Sequence, residues 1–549
     1  MRMMSSSGYC LCRLDPSLIL PFQEKLKGFS WYRAGPMFYV PLYIEALRSR
    51  PALVFWLATL AQAALWILVP FLFYAAPPSD LARLLAVGHE FPLSGDFGPP
   101  LAYWLAEIAF RVAGLFGVYA LSQICVITTY WCVFALGREI VGATHAAMAV
   151  LLMVGILVFG VPTPNFGPGI LAMALWAVVL LFYWRAAIEG RRRSWYPLGA
   201  AAALLLLTTD GALILLGALA LFTAMSARGR AALGMVEAWI VAAALAVVLF
   251  VHLFWLAGAG DSLAPTLARL RNAGMAGENT AAWLQLLGVL ILAHAGLAVL
   301  VVLASGWPQM RDHPAPAIAR APVVASAITF VKVFALIPAL LATIVAVLVG
   351  QRLPIGGAAP LVVLSGLAVI VAAGDSIELH HQRTLGFAWA GLLVVPAILV
   401  PAVIVLLPWT SGSDLQIAQP AAAMGRFFAD SFERRTGHPL TVVSGDMRIA
   451  ALVALAAPSR PSVYFATDPE HSPWVTAADV REQGAVVVWL AAETTPEPPP
   501  AIKARFPDLI TEVPQTFERR VRGRLPPLRI GWGMIRPANA PAAGPAAPH

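Results

Sequence analysis

"LLTTDGALILL", residues 206–216, decides how this chain is threaded. Apolar runs lie on both sides of Thr208, Thr209 and Asp210. "GRRRS" (190–194) precedes them and "SARGR" (226–230) follows. One helix through the break would put these two basic clusters on opposite faces of a bilayer. Two short spans that turn at Thr208–Asp210 put both on the same face, where Lys and Arg of multispan proteins collect. The break is therefore read as a turn on the outer side.

Working outward, about eleven apolar segments follow as candidate spans. They run near Pro51–Tyr74, Val118–Ala135, Ala146–Phe159, Ile170–Trp184, Pro197–Leu207, Gly211–Ala224, Val236–Leu256, Trp283–Ala304, Val323–Val349, Pro360–Ala373 and Leu385–Leu407. Arg138, Arg185, Arg228, Arg230, Arg311, Arg320 and Arg383 fall in alternate connections with the basic arm 1–50. Those connections are expected on the cytoplasmic side. The composition agrees: 59% hydrophobic, 12% charged, mean hydropathy +0.76. So little charge cannot cover a soluble protein of 549 residues. The net charge of +8 is absorbed by this topological bias, and no nucleic-acid partner is expected. Cys10, Cys12, Cys125 and Cys132 have no zinc-site company and read as free thiols. No cleavable signal peptide is evident. Lys332, inside a span, reads either as a buried functional cation or as the mark of a boundary. His380 and His381 lack an acidic cluster beyond Asp375 and Glu378, so no metal site is expected there.

An odd number of spans puts everything after Leu407 outside. Residues 411–536 read as a small α/β domain: "HPLTVVSGD", "RPSVYFA", "GAVVVWLAA" and "PLRIGWGMI" as strands, "AAAMGRFFADSFERR" and "TAADVREQG" as helices. The composition of 537–549 predicts disorder. The module 51–410 carries two long outer loops, 75–117 and 257–280. Each opens a short helix, with Ser79 and Asp80 or Asp261 and Ser262 as caps, suited to the membrane surface.

The outer face collects chemistry. Asp80, Glu90 and Asp96 lie in the first loop, and Asn165 lies in "PTPNFGPG" (162–169). Asp210 is at the break, with Arg269, Arg271 and Arg352 in later loops. Carboxylates facing arginines suit glycosyl transfer from a lipid phosphate: a carboxylate takes the acceptor proton and arginines hold the leaving phosphate. Each has a plainer reading. Asp80 reads equally as a helix cap, Glu90 and Asp96 as solvated loop acids, and Arg269 and Arg271 as headgroup anchors.

The run from Asp80 through "GHEF" (88–91) and "PPLAYWLAEIAFRVAG" (99–114) resembles the first outer loop of GT-C membrane glycosyltransferases. The similarity is to family 39, which includes dolichyl-phosphate-mannose mannosyltransferases and the aminoarabinose and galacturonic acid transferases of lipid A. It continues through "LSQICVITTYWCVFALGREIVG" (121–142), "TPNFGPGILAMALWAV" (163–178) and tail segments such as "SPWV" (472–475) and "IGWGMIRP" (530–537). The resemblance implies a GT-C fold of about eleven spans with a periplasmic α/β domain, in the inner membrane of a bacterium. It implies a polyprenyl-phosphate-linked sugar as donor and a lipid A-like lipid or envelope glycan as acceptor. Asp80 is then the catalytic base, with Glu90 beside it. Asp96, Pro99, Pro100, Tyr103, Asn165, Asp210, Arg269, Arg271 and Arg352 are substrate-binding candidates. No cofactor is implied with certainty, and the need for a divalent metal is left open. Departures stand at the site: Phe97 and Gly98 replace a Lys-His pair, Asn165 an acid, Gly167–Gly169 a polar run, and Thr209 and Asp210 a Lys-Tyr pair. These leave open a catalytically inactive relative that binds polyprenyl lipid or scaffolds envelope assembly. A lipid-sugar transporter fits less well, because the polar groups gather at one face rather than deep in the spans.

Overall fold

In a computed structural model, residues 39–93, 97–258, 277–305, 317–349, 355–411, 415–465, 472–491 and 497–538 are described. The chain divides at Arg50. The first unit, Met1–Arg50, contributes one described helix, α1 (Tyr39–Ser49).

The second unit, Pro51–His549, begins with α2 (Pro51–Phe73), the short α3 (Ser79–Gly88) and the long α4 (Leu101–Val141). Then come α5 (Ala143–Met153), α6 (Pro168–Tyr183), α7 (Trp195–Leu206), α8 (Ala212–Met225), α9 (Ala227–Ala232), α10 (Val236–Gly258), α11 (Gly277–Ala293) and α12 (Ala295–Ser305). A short antiparallel pair of β1 (Ala317–Ala319) and β2 (Ser376–Glu378) brackets α13 (Ala325–Val349) and α14 (Ser365–Ala372). Helix α15 (Gln382–Thr410) leads into the tail domain.

Among the described residues, five helices are long and apolar enough to cross a bilayer, or six if the bent pair α11–α12 counts as one span. The expected eleven is thus not reached on length. Several predicted spans are shorter apolar helices, such as α5 (Ala143–Met153) and α8 (Ala212–Met225). Short helices lose little when they pack on neighbours and 3₁₀ or turn segments complete the crossing. After α5 the chain continues through turns and a 3₁₀ segment, Leu157–Phe159, whose Phe159 carbonyl accepts from buried Gln62 at 2.6 Å. The bend between α11 and α12 is 41°. It pivots at His294, whose Nε2 meets Ser365 Oγ of α14 at 2.8 Å.

The break at 206–216 is a turn. Helix α7 ends at Leu206, α8 begins at Ala212, and the two pack together. Thr209 Oγ1 accepts from Gly211 N at 3.2 Å, closing the turn. The basic connections gather at one end of the bundle. Glu139 at the end of α4 meets Arg185 at 2.8 Å and Arg191 at 3.7 Å, and Arg192 meets Glu237 of α10 at 3.9 Å. Lys332 is exposed, in the second turn of α13. It is therefore not a cation buried within the protein. Cys125 and Cys132 are buried free thiols; Cys10 and Cys12 lie outside the described residues.

Helix α4 is two helices in one. Ala113 (φ −145°) and Gly114 (φ 60°, ψ −150°) break its helical geometry. Only glycine enters Gly114's conformation without strain. The segment before it, 101–112, holds the first loop; the segment after it runs on through the bundle.

The tail domain contains α16 (Ala421–Thr436), β3 (Val442–Gly445), α17 (Met447–Ala456), β4 (Ser462–Tyr464), α18 (Ala477–Gln483), β5 (Ala485–Leu490), α19 (Pro500–Arg505), β6 (Ile510–Phe517) and β7 (Leu528–Ile535). Its sheet order is β4-β3-β5-β7-β6. The pairs β3–β4 and β3–β5 are parallel; β5–β7 and β6–β7 are antiparallel. The five residues Ala485–Trp489 of β5 are all buried, as a strand covered on both faces requires. On one face, Phe428 and Phe432 of α16 and Leu452 of α17 pack on Val486, Trp532 and Met534. Ala76, Ala82 and Ala86 belong to this same core. The first-loop helix α3 is therefore seated on the tail domain, against the expectation of a helix lying free on the membrane surface. Leu81, Leu84, Leu85 and Val87 are also buried, and each such side chain contributes about 1.5–3 kcal/mol. The backbone seals the junction: Ala75 N and Ala76 N both donate to Ile417 O, at 2.8 and 3.1 Å.

Candidate active site

Three turns meet at the end of the bundle opposite the basic connections. Leu101 N, just after Pro99 and Pro100, donates to Leu207 O of the α7–α8 turn at 3.0 Å. Asn165, two residues before the N-cap of α6, reaches α3. Its Oδ1 accepts from Leu81 N at 3.0 Å and its Nδ2 donates to Asp80 Oδ2 at 3.0 Å. Asp80 is thus not the cap it was read as. It lies in the first helical turn, Pro78 is the N-cap, and Asn165 satisfies the free amide from outside. A capping side chain needs to stand before the helix, and Asp80 stands inside it. The carboxylate is exposed, one oxygen held by Asn165. Asp210 is also exposed, on the α7–α8 turn.

Arg83, one turn on from Asp80 and on the same helix face, is exposed and lies 5.6 Å above the Phe97 ring. Phe97 in turn packs on Phe465 at 5.3 Å and Trp474 at 5.9 Å, both from the tail domain. Tyr103 OH donates to Phe97 O at 2.9 Å, and Trp104 Nε1 to Pro92 O at 2.9 Å. Tyr103 and the Pro99-Pro100 elbow therefore hold the loop in place over α4.

Glu90 is not beside Asp80. It follows the C-terminal end of α3, while Asp80 is in the first turn. The helix between them spans about 12 Å at 1.5 Å per residue. Glu90 Oε1 is buried and has no hydrogen-bond partner among the described residues. Asp96, Arg269, Arg271 and Arg352 lie outside the described residues.

The structure also brings forward a charge cluster that sequence reading passed over. Glu107 of α4 is only 1% exposed. Arg460 Nη2 of the tail domain meets its Oε2 at 2.8 Å; Arg111 Nε and His89 Nδ1 meet its Oε1 at 2.9 and 3.3 Å. The Arg460 guanidinium also stacks on Phe110, 4.5 Å from the ring centre. Burial pulls the pKa of Arg460 below that of an ordinary arginine, and Glu107 opposes the shift. Arg460 takes a left-handed backbone (φ 49°), rare for a non-glycine residue. At the crossing of α3 and α4, a Cβ on Gly88 would lie 2.7 Å from Tyr103 O. This close approach places the C-terminal end of α3 against the Glu107 turn. The cluster and the α3 core contacts together fasten the tail domain to the helix that carries Asp80. No sequence signal pairs residues 353 positions apart. A glutamate in the apolar run "LAEIAFRVAG" (105–114) was the one available hint.

Comparison with known proteins fixes the scaffold. A family model described as Dolichyl-phosphate-mannose-protein mannosyltransferase matches residues 98–255. The crystal structure of ArnT from Cupriavidus metallidurans bound to undecaprenyl phosphate superposes with a TM-score of 0.52 at 12% identity, over 89% of this chain and 99% of that one. The fold is that of a GT-C glycosyltransferase. The Archaeoglobus fulgidus oligosaccharyltransferase AglB, in complex with an inhibitory peptide and a dolichol-phosphate, is also similar. Its TM-score is 0.41 at 14% identity, over 80% of this chain and 70% of that one. No curated protein matches by sequence. The matched 98–255 segment of the GT-C scaffold begins at the Pro99-Pro100 elbow and includes Asn165 and the α7–α8 turn.

Proposed function

We propose that the protein is a membrane glycosyltransferase that moves a sugar from a polyprenyl-phosphate donor to a lipid A-like lipid or envelope glycan, on the periplasmic face. The observation that carries this reading is the exposed Asp80 carboxylate, oriented by Asn165, with the Arg83 cation one turn away. The acceptor hydroxyl oxygen attacks the anomeric carbon from the face opposite the phosphate. Asp80 takes its proton, the carbon–phosphate oxygen bond breaks, and its electron pair leaves with the polyprenyl phosphate. The configuration inverts. General-base help of this kind contributes about 10²–10⁴-fold. Arg83, one turn from Asp80, is our candidate for a charge-assisted contact to the donor phosphate, in the absence of the lysine that Phe97 replaces. The basic connections gathered at the other end support a periplasmic position for this end of the bundle.

A second reading has support in the same contact. Asp80 already serves the fold by receiving Asn165, so a binding protein could keep it without chemistry. The two part on purified protein in detergent given undecaprenyl-phosphate-linked sugars together with a lipid A-type lipid or an envelope glycan as acceptor. A transferase releases undecaprenyl phosphate with wild-type protein and loses that release with Asp80→Asn. No release with any sugar, from well-folded protein, favours the binding reading.

A further inference from the structure

We propose that the cleft on the tail domain beside Arg460 binds a saccharide unit and serves as the subsite for the acceptor's glycan. The cleft encloses about 390 Å³ and opens between the start of β3, the α17–β4 connection and α18. Thr441, Arg460, Ser462, Trp474, Asp479 and Gln483 line it. These supply two hydroxyls, a guanidinium, an amide and a carboxylate around one indole. That is the mixture a polyol needs: donors and acceptors for its hydroxyls and an aromatic surface for its C–H face. Val442, Pro461 and Val475 complete the lining, but its exposed surface is mainly polar, so a lipid tail is the wrong occupant.

The site is built before any ligand arrives. Trp474 is fixed by Nε1 donating to Val463 O at 3.1 Å and by its packing on Phe97 and Phe465. Asp479 is held by the capping box at the start of α18, where its Oδ2 accepts from Thr476 N at 2.8 Å and Thr476 Oγ1 at 2.7 Å. Arg460 spends Nη2 on Glu107, while its Nη1 is buried with no hydrogen-bond partner among the described residues. The Glu107 contact fixes the Arg460 side chain at the wall of the cleft.

Position selects the acceptor over the donor. The Glu107–Arg460 pair lies against the C-terminal end of α3, and Asp80 is at its N-terminal end, about 12 Å away along the axis. That gap exceeds one sugar ring. A donor sugar at Asp80 cannot also fill the cleft, whereas an acceptor of several units can occupy both. The acceptor role rests on the transferase reading above; saccharide binding does not.

The test uses the full-length protein in detergent. Saturation-transfer NMR is recorded with glucose, glucosamine, galacturonic acid and short oligosaccharides of each as probes. Wild-type protein is expected to saturate at least one, with oligosaccharides bound more tightly than their monomers. Gln483→Ala and Trp474→Phe should weaken it about tenfold or more. Gln483 is at the end of α18, so its loss spares the fold. Absence of transfer to every probe, or binding that Gln483→Ala and Trp474→Phe both leave intact, overturns the proposal. Binding that survives in a protein with no transfer activity sinks the acceptor role and the transferase reading but keeps the cleft as a saccharide site. Transfer activity with no saccharide bound at the cleft does the reverse.

Discussion

Replacing Glu107 with Gln removes one charge from the cluster that ties the tail domain to the first loop. The three contacts are unequal. Arg111 is 54% exposed, so its i,i+4 pair with Glu107 is a solvated one worth about 0.3–0.5 kcal/mol. His89 sits at 3.3 Å, at the long end of hydrogen bonding. Arg460 is 19% exposed and its partner 1%, so this pair acts in a low dielectric. Breaking such a pair by removing one charge costs about 3–5 kcal/mol, because the other is left buried and uncompensated. Gln keeps one oxygen for Arg460 Nη2, which places Glu107→Gln near the lower end, about 3 kcal/mol. Since each 1.4 kcal/mol is tenfold, the tail should open roughly 100-fold more often. Hydrogen exchange of the amides of 441–465 in detergent reads this directly. Glu107→Gln and Arg460→Gln should each raise exchange there, and together they should do little more than either, with a coupling of about 2–3 kcal/mol. Two effects that simply add, or protection unchanged in Glu107→Gln, would refute the reasoning.

Other predictions follow from single contacts. Asn165→Ala removes the external cap of α3 and should destabilise by about 0.5–2 kcal/mol, read as a lower Tm, with transfer activity falling further than the Tm shift explains because Asp80 loses its orienting partner. Gly114→Ala forces a Cβ into a glycine-only conformation and should cost about 1–3 kcal/mol; an unchanged Tm would show that the kink is soft. The Thr476 hydroxyl and amide hold the Asp479 carboxyl below its ordinary pKa. The stability this lends is present above the ordinary carboxylate range and is lost as pH falls through the depressed value. Thr476→Ala should therefore flatten that part of the acid-unfolding profile, followed by circular dichroism against pH.

Much of the scaffold was legible because apolar runs and arginine placement are local signals. "LLTTDGALILL" turned where a polar Thr-Thr-Asp-Gly cannot lie in lipid. The strand at Ala485–Leu490 was read from its run of valines. What stayed hidden depends on distant partners or on backbone geometry. Strand β6 reads "ITEVPQTF", half exposed and interrupted by a proline, so it carries no clean alternation to find. Gly114 sits in an apolar run where any residue could continue the helix. Ala82 and Ala86 look like ordinary small residues until α17 is seated against them. The site was half legible. Asp80 and Asn165 were both singled out, but their hydrogen bond joins residues 85 positions apart. Glu90, expected beside Asp80, follows the far end of the helix whose first turn holds Asp80.

The central claim is that Asp80 takes a proton during sugar transfer. The direct measurement is mass spectrometry of envelope lipids from a deletion strain complemented with wild type or Asp80→Asn, at equal membrane levels. The account predicts a sugar-sized mass increment restored by wild type and absent, or reduced about 10²–10⁴-fold, with Asp80→Asn. The same increment from both genes would contradict it.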